Sequence, residues 1–224
     1  MKEFYFDKTE VLENELAIKI ANALKDAIIL NNAAYLLVSG GGTPKNMYSK
    51  LAQLDIPWKK VHIGLVDERF VETDSSDSNE KMIKEHLLIA KASVANFHGM
   101  IANITDEKDN ITLINQKYNE VFKDITVTLL GMGGDGHTAS LFPSDPASEK
   151  SLQEKIVGVL STKAPKAPVQ RITCSKQMLL NANKVFLMTT GKDKYEVLNN
   201  NNKQTLPIFN FIDNKDDMEW YYSI

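Results

Sequence analysis

Between residues 9 and 30 the apolar side chains Leu12, Leu16, Ile20, Leu24 and Ile28 recur at every fourth position. On a helix of 3.6 residues per turn this spacing builds one apolar stripe, so the segment predicts a long amphipathic helix lying on a core. Thr9 is the candidate N-cap, and Asn31 and Asn32 form the stop. The period then changes. Residues 35–38 are a short continuous apolar run that ends in Ser-Gly-Gly-Gly-Thr-Pro, followed by a helical pattern through Met47, Leu51 and Leu54. Runs of the same kind occur at 61–66, 125–130 and 185–189, with a weaker one at 156–160. They are continuous rather than alternating, as strands covered on both faces are. Helical patterns intervene at 78–89, 111–122, 176–180 and 192–199. Strands alternating with helices imply an α/β fold with a mainly parallel sheet.

Composition narrows the class. With 224 residues, 43% hydrophobic and 25% charged, the chain can bury one good core, and a single domain over 1–224 is expected. A net charge of -3, without a dense block of Lys and Arg, gives no electrostatic reason to bind nucleic acid. Cys174 is the only cysteine, which rules out an intramolecular disulfide and a Cys-rich zinc site and suits a reducing cytoplasm. The first ten residues lack the pattern of a secretory signal, so the mature chain is expected to begin here. Lys19, Lys25 and Asp26 interrupt the most apolar early stretch, so no membrane span is expected. The asparagine run 199–202 reads as a solvated loop, and Lys-Ala-Pro-Lys-Ala-Pro at 163–168 as a stiff proline-spaced one.

In an open parallel sheet, ligands bind beyond the carboxyl ends of the strands. Here those ends are polar and glycine-rich: 39–44, then Asp67-Glu68-Arg69, then 131–137, then 190–194. Four strand ends are therefore expected to line one site. In the first, Gly40, Gly41 and Gly42 let a ligand approach the backbone, Thr43 can cap the next helix, and Pro44 suits its first turn. The free N–H groups there would hold a phosphate, a ligand-free turn being the alternative. No Gly-Lys-Ser/Thr ending is present, so this is not a Walker A loop.

Residues 131–136 satisfy the dinucleotide pattern G-x-G-x-x-G. A dinucleotide unit needs a full helix after its last glycine, yet Pro143 and Ser144-Asp145-Pro146 break the chain, so no nicotinamide or flavin cofactor is expected. His137 follows that loop, beside Asp135. A neutral imidazole, with an ordinary pKa of about 6.5, can take a proton at neutral pH. Considered alone, His137 is as readily a hydrogen-bonded structural histidine. His62, His86 and His98 have no glycine loop beside them and are assigned structural roles. The Asp67-Glu68-Arg69 triplet reads either as part of the site or as a salt-bridged strand end. Arg171 offers a guanidinium fork and Lys194 a point charge for an anion in the crevice. Asp67, Asp135 and His137 could be drawn as a metal site, but no HxxxH, HExxH or Cys cluster supports one, and no metal is expected.

SGGGTP at 39–44, DERF at 67–70 with Ser78-Asn79 after it, GMGGDGHTASLFP at 131–143, Arg171-Ile172-Thr173, and Gly191 with Lys194 span nearly the whole chain. Together they resemble the 6-phosphogluconolactonase family. The resemblance implies a three-layer α/β/α fold with a mainly parallel, Rossmann-like sheet, shared with glucosamine-6-phosphate deaminase and ribose-5-phosphate isomerase. It implies hydrolysis of 6-phospho-D-glucono-1,5-lactone to 6-phospho-D-gluconate in the oxidative pentose phosphate pathway, with no cofactor. His137 then matches the catalytic base and Arg69 a group that binds or polarises the substrate. Asp67 or Asp135 would orient the imidazole or the water. Gly40, Gly41, Gly42, Thr43, Gly133, Arg171 and Lys194 would bind the substrate and its phosphate. A monomer is expected, with a dimer as the alternative. The chain departs from the family pattern at Gly42, where serine is usual, and in stopping soon after Trp220. The deaminase is the enzymatic rival, but its pattern has a glutamate five residues beyond the histidine, where this chain has Phe142. A sugar-phosphate sensor on the same scaffold is the non-enzymatic rival, and no basic helix-turn-helix segment is attached.

Overall fold

The stripe along the first helix is fully used: Leu12, Leu16, Ile20 and Leu24 have no exposure, and Ile28 is buried. They cover one side of a sheet whose strands are the continuous apolar runs. A computed structural model of the chain describes residues 1–199 and 205–224. In chain order the elements are β1 (Lys2–Tyr5), α1 (Thr9–Asn31), β2 (Ala34–Val38), α2 (Lys45–Leu51), β3 (Val61–Leu65) and β4 (Asp67–Arg69). Next come α3 (Asn79–His86), β5 (Asn96–His98), α4 (Glu107–Val121), β6 (Val127–Leu130), α5 (Pro146–Gln153) and β7 (Val159–Lys163). The chain continues through β8 (Gln170–Cys174), α6 (Lys176–Leu180), β9 (Lys184–Thr190), α7 (Lys192–Leu198), α8 (Phe209–Ile212) and β10 (Glu219–Ser223).

Seven strands form one sheet in the order β1-β10-β9-β6-β2-β3-β5, and every neighbouring pair is parallel. Helices flank it, which is the α/β/α arrangement expected. From β2 the chain builds outward through β3 to β5, and from β6 it builds the other way through β9 to β10. The order reverses between β2 and β6, so the loops leaving these two adjacent strands diverge and open a crevice at their carboxyl ends.

A second sheet, β4-β8-β7, is antiparallel, and of its strands only β7 overlaps a run in the sequence pattern. Asp67-Glu68-Arg69 is therefore a strand in its own right, turned out of the main sheet to pair with β8. Lys163 ends β7, and the proline-spaced loop closes a hairpin in which the Ala164 N–H donates to the Val169 carbonyl at 2.8 Å. The weak run 156–160 is displaced to β7. Ser144-Asp145-Pro146 is a helix start as well as a break: Asp145 caps α5 by accepting from the Ser148 N–H at 2.8 Å, and Pro146 takes the first turn.

Two other caps differ from expectation. Lys8 occupies the N-cap of α1 without a side-chain bond, because the Thr9 hydroxyl is engaged with Ser223 Oγ of β10 at 2.8 Å. Asn32 ends that helix in the left-handed region, φ 60°, as the stop signal implied. Thr43 does not cap α2; Pro44 stands at that N-cap and no side chain bonds there. The strands β1, β5 and β10 also go beyond the sequence pattern. Of the asparagine loop, Asn199 closes α7 and residues 200–202 lie outside those described. No helix among the described residues is long and apolar enough to cross a membrane.

Candidate active site

The crevice is lined by residues 39–44 after β2, Asp67 and Arg69 of β4, Asn79 of α3, and the loop after β6 with Gly131, Met132, Gly133, His137 and Ala139. Thr189 and Thr190 at the end of β9, and Lys194 of α7, complete it. All four expected strand ends meet there. Asp135 and Arg171 do not line the crevice but each touches a residue that does.

The first glycine loop is anchored from below. The hydroxyl of the fully buried Tyr48 donates to the Ser39 carbonyl at 2.7 Å, and burial pushes that phenol well above its ordinary pKa. A Cβ on Gly40 would lie 1.9 Å from Asn79 Oδ1, so glycine is required for α3 to bring Asn79 over the loop. Gly41 has φ +88°, a left-handed conformation that other residues rarely adopt. At Gly42 nothing lies within 4 Å of an added Cβ, so the site has room there for a serine side chain.

Adjacent residues of β4 face different partners. Glu68 is fully buried and accepts from the backbone N–H groups of Arg69, Asn79 and Glu80, each at 2.7 Å, and from Ser78 Oγ at 3.1 Å. It closes the start of α3. Burial raises its carboxyl to about 7 against those backbone donors, which pull it down. Asp67 faces the crevice instead. It accepts a hydrogen bond from Ser140 Oγ at 2.5 Å, and its backbone carbonyl accepts from Asn79 Nδ2 at 2.9 Å.

Arg69 donates to the Asp77 carbonyl at 2.6 Å, and its cross-strand neighbour is Arg171. Burial, and then the Arg69 charge, hold the Arg171 guanidinium below its ordinary range. Both arginines keep a buried Nε without a partner. Two cations side by side with unused donors form a place where negative charge is favoured.

The loop after β6 folds back on itself. Gly133 N–H donates to the His137 carbonyl at 2.8 Å, and Gly136, φ +77°, makes the bend. The turn puts Asp135 Oδ1 within 2.5 Å of His137 Nδ1 and 3.2 Å of its backbone N–H. Burial raises the Asp135 carboxyl, but the charge and hydrogen bonds of His137 outweigh it and leave Asp135 below the usual range. A carboxylate at Nδ1 fixes the tautomer with the proton on that nitrogen, leaving Nε2 as an acceptor. The Phe142 ring, 4.7 Å from the imidazole centroid, closes one side. A Cβ on Gly133 would fall 2.2 Å from the imidazole, so this glycine is needed to seat the ring. Lys194 Nζ approaches the same loop, 3.3 Å from where a Cβ on Gly134 would stand.

Of the two candidate orienting acids, Asp135 is the one in contact with His137. Asn79 and Ser140 stand within the motifs but carry no assignment from sequence; their signal is the spacing after the acidic pair and the position three residues beyond the histidine. His62 and His98 pair with each other, Nδ1 to Nε2 at 3.1 Å, in β3 and β5. Among the described residues no group of three or more His, Cys, Asp or Glu is placed to hold a metal ion.

The chain is similar to known proteins in sequence and in fold. A 6-phosphogluconolactonase of Pseudomonas aeruginosa is 31% identical over 211 residues, covering 92% of this chain and 89% of that protein. One of Helicobacter pylori is 33% identical over 204 residues, covering 91% and 88%. The crystal structure of a 6-phosphogluconolactonase from Shewanella baltica superposes with a TM-score of 0.93 at 31% identity, over 100% of this chain and 98% of that one. The family described as glucosamine-6-phosphate isomerases/6-phosphogluconolactonase matches residues 7–220, and the chain belongs to it.

Proposed function

We propose that the chain hydrolyses 6-phospho-D-glucono-1,5-lactone to 6-phospho-D-gluconate, with water activated by His137 and without a metal ion. The observation that carries this reading is the Asp135–His137 pair, which leaves Nε2 free in a crevice with Arg69 in its wall. Nε2 takes a proton as the water oxygen bonds to the lactone carbonyl carbon. The tetrahedral oxyanion then collapses, the bond from that carbon to the ring oxygen breaks, and the imidazolium returns its proton to the departing oxygen. The product acid ionises at neutral pH. General base catalysis of this kind contributes on the order of 10² to 10⁴ in rate.

Arg69 offers charge where the oxyanion develops, an interaction of roughly 3 kcal/mol when the donor is pre-aimed. Asp135 keeps the imidazole in its productive tautomer. Residues 41–43 with Lys194 hold the phosphate, so that binding energy from a group remote from the reaction positions the carbonyl. Arg171, behind Arg69 and against the Phe142 ring at 5.9 Å, reinforces the positive wall. Phe142 puts an apolar ring where the deaminase pattern has a carboxylate, which favours hydrolysis over amine chemistry. The cytoplasm, where sugar phosphates are held, is the proposed compartment, and a single domain acting as a monomer the proposed form.

The test is loss of freshly made 6-phosphogluconolactone above its spontaneous hydrolysis, with EDTA present, beside ammonia release from glucosamine 6-phosphate. Rapid lactone loss without ammonia is expected. Ammonia release, or lactone loss abolished by EDTA, would overturn the reading.

A further inference from the structure

Ser140 has 1% exposure and is absent from the crevice wall, yet each of its polar groups is bound to a different strand of the three-stranded sheet. Its hydroxyl donates to Asp67 of β4 at 2.5 Å. Its carbonyl accepts from Thr162 Oγ1 of β7 at 2.6 Å, and its N–H donates to Thr173 Oγ1 of β8 at 3.2 Å. The residue before it, Ala139, lines the crevice with φ 49°, a left-handed conformation that an alanine holds only under constraint. Two residues further back is His137. The main sheet supplies the stem of this loop through β6, but among the described residues no hydrogen bond from a strand of that sheet reaches residues 138–141.

From these contacts we infer that Ser140 is a positioning residue, a three-point clamp by which the small sheet sets His137 against Asp67 and Arg69. The hydroxyl couples the two sides of the crevice directly, since its acceptor is a crevice carboxylate on β4 and its own loop carries the imidazole. When the clamp is removed, Ala139 relaxes toward an ordinary φ and the imidazole drifts relative to Asp67 and Arg69. A displacement of about 1 Å can cost on the order of 10²-fold in rate. Ground-state binding through the first glycine loop and Lys194 is left intact. The kinetic part of this inference rests on the lactonase reading; the mechanical part does not.

Three substitutions at two positions test it. Ser140→Ala removes the hydroxyl strut. Thr162→Val removes the carbonyl strut while keeping shape, and Thr162→Ser keeps that strut. The readouts are kcat and KM on the lactone, normalised to folded protein, and hydrogen–deuterium exchange of the peptide spanning 133–142. Ser140→Ala and Thr162→Val are expected to lower kcat about tenfold or more with KM within threefold, and to speed exchange in 133–142 but not in β9. Thr162→Ser is expected to match the parent protein. Unchanged exchange in 133–142 would overturn the clamp. So would a kcat per folded molecule equal to the parent's, or a loss confined to KM. If the parent protein turns over no lactone while exchange responds as expected, the lactonase reading fails and the clamp stands.

Discussion

At the scale of single residues, the chemistry is marked in the sequence because a glycine loop leaves the next side chain open to the crevice. His137 is legible for that reason, and its Nδ1 contact with Asp135 makes the expectation sharp. His137→Ala should lower kcat by roughly 10²- to 10⁴-fold with little change in KM, measured on fresh lactone. Gly133 shows the opposite lesson. A motif glycine reads as a ligand contact; Gly133 lines the crevice, and its missing side chain also makes space for the imidazole, a packing fact that no spacing reveals. A different residue effect lies in β6, where the Thr128 hydroxyl is buried with no partner. Thr128→Val keeps the shape and removes that orphan, so stability should rise by about 1 kcal/mol. The check is a higher denaturation midpoint at unchanged m-value.

At the scale of elements, periodicity identifies what is long or wholly buried and misses what is short. α1, β2, β3, β6 and β9 are legible because their patterns are uninterrupted. β4 and β5 have three residues each, and β4 is Asp-Glu-Arg; its pairing with β8 is a tertiary fact absent from local pattern. The cap of α5 reads as a break because a proline serves both ends of a helix. β5 also carries a pH response. His98 sits with His62 at the sheet edge, and burial first, then the charges of Lys117 and His62, holds it down to about 4. Burial lowers His62 as well. An unfolded histidine titrates near 6.5, so between these values the unfolded chain binds more protons. The contribution of His98 to stability is therefore present above about pH 6.5 and lost as the pH falls toward 4. Melting curves from pH 7 to 4.5 should fall less steeply for His98→Gln than for the parent; equal slopes would refute the assignment.

At the scale of the whole molecule, the crevice is a joint between two sheets: β2, β6 and β9 come from one and β4 from the other. A ligand seated there bridges both. The product 6-phosphogluconate at about 100 times its Kd should raise unfolding free energy by about 2.7 kcal/mol, read as a shift of one cooperative melt. Protection should appear in 133–142 and 67–69 together, and a rise confined to one sheet would contradict the joint. The larger sheet carries a further consequence in the placement of β10. This last strand lies inside the sheet, between β1 and β9, and its residues 219–222 pair with residues 2–5 at the other end of the chain. Phe6 N–H also donates to the Tyr222 carbonyl at 2.9 Å. During synthesis, then, β1 has no partner strand among the described residues until β10 has been made. Nascent chains halted before residue 219 must carry Phe4 and Tyr5 unpaired, which makes them clients for chaperones rather than partly working enzyme.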